Sequence, residues 1–263
     1  MRVQVLIATM HQTDFSLLER MNVQTDAVVG NQCDRNEIAL LEHRGRSVKW
    51  LSLCERGVGL NRNNALMRAT EDIVLFADDD VVYADGYEQT VLSFYESHPD
   101  ADVVIFNFKM KRGEGEFFER VKKEGRVGRR GAVKYGTYCI SARRERLRMA
   151  NIFFHLDFGG GATYQSGEDT LFLQDCLKKK LRVYATKELI GVLDHGASTW
   201  FRGYDDKYFF DKGVLFATAF PRACRLYALV HCVKKRKKYG DYGWKKGYRQ
   251  MCLGIRFRKK DLS

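Results

Sequence analysis

The stretch DIVLFADDDVVY, from Asp72 to Tyr83, is the most informative about the fold and raises the first functional question. Its run IVLFA is apolar at consecutive positions, which is typical of a central parallel strand with both faces covered. Three aspartates, Asp78 to Asp80, follow this run directly. Adjacent carboxylates repel one another and are costly to desolvate unless a cation compensates them. The stretch therefore predicts either a polar turn or a divalent-cation site at the end of a buried strand.

Strand-like and helix-like segments alternate around this stretch. Such alternation predicts an α/β fold with a mainly parallel sheet flanked by helices. Ligands of such sheets bind beyond the carboxyl ends of the strands, which is where the three aspartates stand. The Gly-rich and charged segment 109–135 predicts a loop or a β-ribbon over a site. We predict strands at 3–9, 26–31, 47–53, 72–78, 101–109 and near 182–186, and helices at 14–21, 60–69, 86–98 and 168–180.

The composition excludes several classes of protein. Of the 263 residues, 45% are hydrophobic, so wholesale disorder is excluded. The seven cysteines are scattered and form no CxxC pair, which argues against a disulfide framework or a zinc ribbon and favours free thiols in a reducing cytosol. We see no signal peptide and no run of about 18 apolar residues, so we expect a cytoplasmic protein without a membrane-spanning helix.

The net charge of +12 is concentrated in one part of the chain. Residues 222–263 contain fourteen Lys and Arg against two acids, whereas residues 1–221 contain 31 of each. We therefore divide the chain into a neutral domain, 1–221, and a basic, aromatic-rich extension, 222–263. The extension fits an anionic membrane surface, a nucleic acid or a solvated tail. The neutral domain speaks against a nucleic-acid-binding protein, so we expect no nucleic-acid partner.

A second acidic pair stands in FGGGATYQSGEDTLFLQDCL (158–177), where a glycine-rich loop leads into a helix. Ser166 followed by Asp169 resembles a capping box. The two successive acids Glu168 and Asp169 exceed what a cap needs, and a carboxylate at a helix start can serve as a general base. His195 is a further candidate metal ligand, although a lone histidine is more often structural.

Four short motifs follow one another along the chain: ATM (8–10), GVGLNRNNA (57–65), LFADDD (75–80) and YQSGEDTLF (164–172). In this order they resemble the motifs of the family 2 glycosyltransferases, which have the GT-A fold. The resemblance covers about residues 1–200. It implies a metal-dependent, inverting transfer of a sugar from a nucleotide-sugar donor to an acceptor hydroxyl. The acceptor would be a glycan or a lipid-linked sugar in cell-surface polysaccharide or glycolipid assembly.

The resemblance also implies the site residues and the cofactor, Mg²⁺ or Mn²⁺. The expected roles are the catalytic pair Asp169 (general base) and Glu168, the metal ligands Asp78, Asp80 and His195, and the nucleotide-binding residues Thr9, Asn31, Arg62, Asp78 and Asp79. Asp80 is expected to be the more direct metal ligand. Asn31 departs from the family, which commonly has an acid at this place. Because an amide can also read the edge of uracil or thymine, we expect a UDP-sugar first and a dTDP-sugar second.

A sugar-phosphate nucleotidyltransferase is the main alternative, because it would share the parallel sheet and an acidic metal site. Such an enzyme would be expected to carry a Gly-rich loop with Arg or Lys straight after the first strand, and ATMHQTDF (8–15) has none. We therefore expect a cytoplasmic glycosyltransferase that is peripheral at the inner face of the cell membrane through 222–263.

Overall fold

A computed structural model describes residues 1–112, 116–193 and 203–261 of the chain. In these residues eleven strands form one sheet. The strands are β1 (Val3–Met10), β2 (Asp26–Gln32), β3 (Glu37–His43), β4 (Arg46–Leu53), β5 (Ile73–Asp78), β6 (Val81–Tyr83), β7 (Val103–Arg112), β8 (Glu116–Glu119), β9 (Gly125–Arg126), β10 (Ile140–Arg143) and β11 (Val183–Leu193).

The sheet has the strand order β3-β4-β2-β1-β5-β10-β7-β11-β6, with β8 paired to β7 and β9 paired to β11. The strands β4, β2, β1 and β5 run parallel, as do β7 and β11. The predicted α/β class is confirmed, and the parallel half is the one that contains β1 and β5. The described sheet as a whole is mixed, because β10 lies antiparallel between β5 and β7. Between β7 and β10 the described chain forms short strands and turns instead of a crossover helix, so β10 can return antiparallel.

The sequence pattern does not predict strand β3. This strand pairs antiparallel with β4 through a two-residue turn at Arg44 and Gly45, whose φ angles are 53° and 73°. Positive φ at both central residues matches the twist of a hairpin. Ile38 and Leu40 are exposed on this edge strand, so β3 lacks the alternation by which a half-buried strand is recognised.

Helices cover the sheet and continue beyond it. The helices predicted at 60–69, 86–98 and 168–180 are present with small differences at their ends, whereas the one predicted at 14–21 is a single turn. None of the helices in the described part of the chain combines the length and the hydrophobicity that a membrane crossing requires. The helices are α1 (Leu17–Arg20), α2 (Val58–Met67), α3 (Tyr87–Ser97), α4 (Arg144–Met149), α5 (Glu168–Lys178), α6 (Asp206–Ala219), α7 (Cys224–Lys234) and α8 (Trp244–Asp261).

The described residues have two hydrophobic clusters. The larger one fills the space around the sheet, where Ile7 and Phe76 are fully buried. The second joins α6, α7 and α8 to the sheet domain, with Phe209 and Met251 from the helices and Leu171 from α5. Helices on both sides of the expected boundary at residue 221 share this cluster, and the division of the chain at that residue stays a prediction.

Helices α6 and α8 approach each other at glycines. A Cβ on Gly213 would stand 2.1 Å from the carbonyl oxygen of Met251, and a Cβ on Gly254 would stand 2.1 Å from that of Phe210. A side chain cannot make contacts this short, so only glycine permits the observed approach of the two backbones. The basic C-terminal residues therefore belong to a tightly packed helical layer.

Replacing Gly213 by Ala tests this packing. In an ordinary helix interior the substitution stabilises by about 1 kcal/mol. Here we expect the free energy of unfolding to fall by about 1–3 kcal/mol, because the two helices must move apart. Urea unfolding followed by circular dichroism measures the change. Gly128→Ala is the control, because nothing lies within 4 Å of its Cβ position. A Gly213→Ala protein as stable as the unsubstituted chain would contradict the close contact between α6 and α8.

Candidate active site

The carboxyl ends of the parallel strands meet along one edge of the sheet. In the register of the strands, Thr9 of β1 stands beside Asn31 of β2, and Ala8 stands beside Asp78 of β5. Three of the expected site residues thus reach the same edge from three neighbouring strands. This is the edge at which open α/β sheets bind ligands.

The three aspartates after β5 have different surroundings. Asp78 pairs with the guanidinium of Arg62. Asp79 is exposed, and its Oδ2 accepts a hydrogen bond of 2.6 Å from Thr9 Oγ1. Asp80 is half-buried in the turn that leads to β6. The cluster is more than a polar turn, because partners from other elements hold two of its carboxylates.

Arg62 is a buried cation that joins two carboxylates. Its side chain is 4% exposed. Nη1 donates to Glu168 Oε1 at 3.0 Å, and Nη2 donates to Asp78 Oδ1. Burial lowers the pKa of the guanidinium, but the charges of Asp78 and Glu168 outweigh this effect, so the pKa of Arg62 is raised. One arginine therefore fixes the end of β5 relative to the start of α5.

The neighbours of Arg62 explain why α2 can present it at this place. Asn61 Nδ2 donates to the carbonyl oxygen of Gly30 in β2 at 2.8 Å. Asn63 Nδ2 donates to the carbonyl oxygen of Phe154 at 2.9 Å, and Asn63 Oδ1 accepts from the Phe154 amide at 2.8 Å. Buried polar side chains are tolerated when they are hydrogen-bonded in this way. The helix LNRNNAL thus buries its polar residues and holds the arginine between two fixed amides.

Glu168 begins α5, and a glycine makes room for its carboxylate. Gly159 has a φ of 106°, and a Cβ there would stand 2.9 Å from Glu168 Oε2. The amide of Gly167 donates to the same oxygen at 3.1 Å. The residue that caps α5 is Gly167, without a side-chain hydrogen bond. The capping-box interpretation, in which Ser166 caps the helix, is therefore wrong.

Asp169, the next residue, has a raised pKa. Burial is the main cause and the charge of Glu168 adds to it, so the pKa of Asp169 rises from 3.8 to about 6. The amide of Thr170, at 2.5 Å, and the charges of Lys212 and Arg62 act in the opposite direction. Such a carboxylate is mostly ionised at pH 7 and is a stronger base than an exposed aspartate. Glu168 and Asp169 thus have different surroundings, because Arg62 forms an ion pair with Glu168 and not with Asp169.

Lys212 of α6 is a charged residue near the start of α5 that the sequence analysis does not identify. Its ammonium donates to Ser166 Oγ at 2.9 Å. Burial lowers the pKa of Lys212, and the charges of Asp169, Glu168 and Asp211 partly offset this effect. The local sequence DKGVLF carries no functional signal, so only the packing of α6 against the start of α5 could reveal this lysine.

Asn31 is hydrogen-bonded to the loop that follows β1. Its side chain is fully buried. Oδ1 accepts from the Gln12 amide and Nδ2 donates to the Gln12 carbonyl, both at 3.0 Å. Contact with uracil or thymine would break at least one of these bonds. Asn31 thus holds the loop after β1, and its contact with the base of the nucleotide stays a prediction.

Carboxylate oxygens for a divalent cation are available mainly at the turn after β5. Across the described ranges, no three or more His, Cys, Asp or Glu side chains cluster in a way that could hold a metal ion. His195 lies outside the described residues. Arg62 pairs with Asp78, and Asp79 and Asp80 are the other two carboxylates of this turn. This partial set fits Mg²⁺ or Mn²⁺, since such ions are often held by one or two carboxylates together with substrate phosphates.

Comparisons with known proteins agree with this architecture. The model of the family described as Glycosyl transferase family 2 matches residues 34–166, a range that includes the aspartate cluster and ends just before the second acidic pair. No curated protein sequence matches the chain.

Among solved structures, the chain is similar to TarS from S. aureus. A structure of TarS 1–349 in complex with UDP-GlcNAc has a TM-score of 0.60 and 18% identity, and the match covers 83% of this chain and 66% of that one. A second structure of TarS 1–349 has a TM-score of 0.60 and 14% identity, with 99% and 92% covered. The complex with UDP has a TM-score of 0.58 and 16% identity, with 90% and 71% covered. The chain thus spans slightly less than two thirds of the first of these structures, and identities this low show a shared fold.

Replacing Arg62 by Met should destabilise the fold, because it leaves the carboxylates of Asp78 and Glu168 unpaired. We expect the free energy of unfolding to fall by about 2–4 kcal/mol, somewhat less than for a fully buried ion pair, because Asp78 keeps 34% of its side-chain exposure. Chemical unfolding at neutral pH measures the loss. Arg68→Met at the C-cap of the same helix is the control, since Arg68 donates to Asn64 of α2, and it should cost about 1 kcal/mol or less. Equal losses in both variants would show that the ion pairs of Arg62 add no stability.

Proposed function

Because the chain belongs to glycosyl transferase family 2 and has the GT-A fold, we propose that it transfers a sugar from a nucleotide-sugar donor to an acceptor hydroxyl. The observation that carries this proposal is the Asp78–Arg62–Glu168 network. It ties the acidic turn after β5, which suits a diphosphate, to the start of α5, which holds a basic carboxylate. A sugar transfer needs a site that stabilises the leaving diphosphate close to a carboxylate that accepts the proton of the acceptor hydroxyl.

The donor that we propose first is a UDP-sugar, with a dTDP-sugar second. The similarity to TarS, which has been solved with UDP-GlcNAc, supports this order. Asp80, with a share from Asp79, would hold Mg²⁺ or Mn²⁺ together with the diphosphate, and His195 is proposed as a further ligand. When bound, the cation neutralises charge on the leaving diphosphate. Asp78 is proposed to act by holding Arg62, since its charge is already paired.

The catalytic step that we propose is inverting. Asp169 accepts the proton of the acceptor hydroxyl while the hydroxyl oxygen attacks C1 of the donor sugar. The new C–O bond forms as the bond from C1 to the diphosphate oxygen breaks, and the electron pair leaves with the diphosphate. Glu168, fixed by Arg62, positions the acceptor beside Asp169. The raised pKa of Asp169, about 6, suits this role because a base near the working pH is most effective.

The acceptor is proposed to be a glycan or a lipid-linked sugar of a cell-surface polysaccharide or glycolipid. Thr9 and Arg62 stay proposed as residues that line the nucleotide site, Thr9 through its contact with Asp79. A cytoplasmic location with peripheral binding to the membrane through 222–263 also stays a proposal. The family match speaks against the sugar-phosphate nucleotidyltransferase alternative.

Titration of UDP in the presence of Mn²⁺ tests the donor site. We expect Asp80→Ala to abolish metal-dependent binding of UDP, because the diphosphate then loses its cation. Isothermal titration calorimetry with Mn²⁺ and with EDTA measures this, and dTDP serves as the comparison for nucleotide choice. Asp72→Ala, at the other end of β5, is the control and should bind UDP as the unsubstituted chain does. Metal-dependent UDP binding that survives in Asp80→Ala would remove Asp80 from the metal site.

Replacing Asp169 by Asn tests the proposed base. In the Asp169→Asn protein, sugar transfer should be lost while UDP binding is kept. In the unsubstituted chain, kcat/KM should fall about tenfold per pH unit below about pH 6, because the base becomes protonated. The Asp169→Asn protein should be no less stable than the unsubstituted chain at pH 8, because a carboxylate whose pKa is raised in the folded state costs stability once it is ionised. Asp175→Asn, two turns along the same helix, is the control for activity. Loss of UDP binding together with transfer would make Asp169 a binding residue instead of the base.

A further inference from the structure

Helix α7 has two apolar faces, and only one of them is covered by protein. Cys224, Ala228 and Cys232 are buried against α6 and α8. On the opposite side Leu226 and Val230 are exposed, at 61% and 40%. Leu229 and Val233 are exposed on the same side, so the four residues span an arc of about 100°. A stripe of this width is what a helix normally uses to bind an apolar partner.

A groove of about 1010 Å³ lies beside this stripe. Its apolar lining comes from Leu226 and Val230 of the stripe, Phe216 of α6, Phe220 just after α6, and Val133. The volume is that of a site for a large ligand. The groove is therefore a concave apolar surface beside an exposed apolar helix face.

The residues around the groove carry positive charge. Arg129, Arg130, Lys178, Arg222 and Lys234 line it, and no acidic side chain is among the described lining residues. Arg129 and Lys178 are bonded to the protein. Arg130, Arg222 and Lys234 are exposed and form no ion pair with the described acids. Apolar side chains edged by free cations match the chemistry of an anionic lipid, whose acyl chains are apolar and whose headgroup is negative.

The groove follows the same side of α6 as the candidate active site. Lys212, near Glu168 and Asp169, is followed at four-residue spacing by Phe216 and Phe220 in the groove. Residues at this spacing lie on one face of a helix, about 6 Å apart along its axis for each step. A bilayer seated on the groove would therefore lie within two helical turns of Lys212.

We propose that the outer face of α7 and this groove form a docking surface for an anionic phospholipid bilayer. The apolar stripe enters the interface, and Arg130, Arg222 and Lys234 contact the headgroups. This proposal goes beyond the transfer chemistry and does not depend on it. It places membrane contact on α7 and on residues of the sheet domain, whereas the sequence pattern alone assigns it to 222–263 as a whole.

Vesicle binding by surface variants tests the proposal without any nucleotide. The full chain is sedimented with phosphatidylcholine vesicles that contain phosphatidylglycerol. We expect L226E/V230E to lower the partition coefficient at least about tenfold, because two apolar side chains no longer enter the interface. R130E/R222E should lower it similarly, and added salt should weaken binding. L40E is the matched control, since Leu40 of β3 is 74% exposed, and its partition coefficient should be unchanged.

A tryptophan reporter distinguishes insertion from loose adsorption. Brominated acyl chains should quench the added fluorescence of L226W and leave that of L40W unchanged. Equal binding of the L226E/V230E variant and the unsubstituted chain would overturn the proposal. It would equally be overturned by binding that is as strong on pure phosphatidylcholine. A dimer in sedimentation velocity that L226E/V230E dissociates, with no vesicle binding by the unsubstituted chain, would instead make this surface a contact between two copies of the chain.

Discussion

The ion pairs of Arg62 are the interaction on which the candidate site depends. A single guanidinium joins the carboxylate that ends β5 to the carboxylate that begins α5. Because the guanidinium is almost fully buried, each partner compensates a charge that would otherwise be costly to desolvate. The amides of Asn61 and Asn63 fix the helix that carries it. The two acidic clusters of the candidate site are therefore connected through one side chain.

The ion pairs of Arg62 also give the neighbouring acids Glu168 and Asp169 different surroundings. Asp78 and Glu168 both form ion pairs with Arg62, whereas Asp169 forms none with it and has a carboxylate that burial makes more basic. A charge pair can fix geometry, while a desolvated carboxylate can accept a proton, and one group cannot do both well. Two adjacent acids in the sequence thus have different chemistry in the fold.

The C-terminal helices belong to the site as well as to the surface. Helix α6 carries Lys212 to the start of α5, and its next turns form part of the apolar groove. The close approach at Gly213 and Gly254 keeps α6 and α8 in one layer. Helix α7, which carries the proposed docking surface, is therefore packed in the same layer as α6, the helix that places Lys212 at the start of α5.

The sequence alone was enough to predict the α/β class, the central strands β1, β2 and β5, and the two acidic clusters, because apolar runs and their polar ends are local signals. It did not determine β3, whose exposed Ile38 and Leu40 break the alternation, or the antiparallel entry of β10. The tertiary structure was needed to show that Arg62 pairs with Asp78 and Glu168. It was also needed to show that Asn31 is hydrogen-bonded to the loop after β1, and that Lys212 stands near Asp169. These contacts join residues that lie 16 to 106 positions apart, and no local pattern encodes which distant charges are brought together or how far burial changes their pKa.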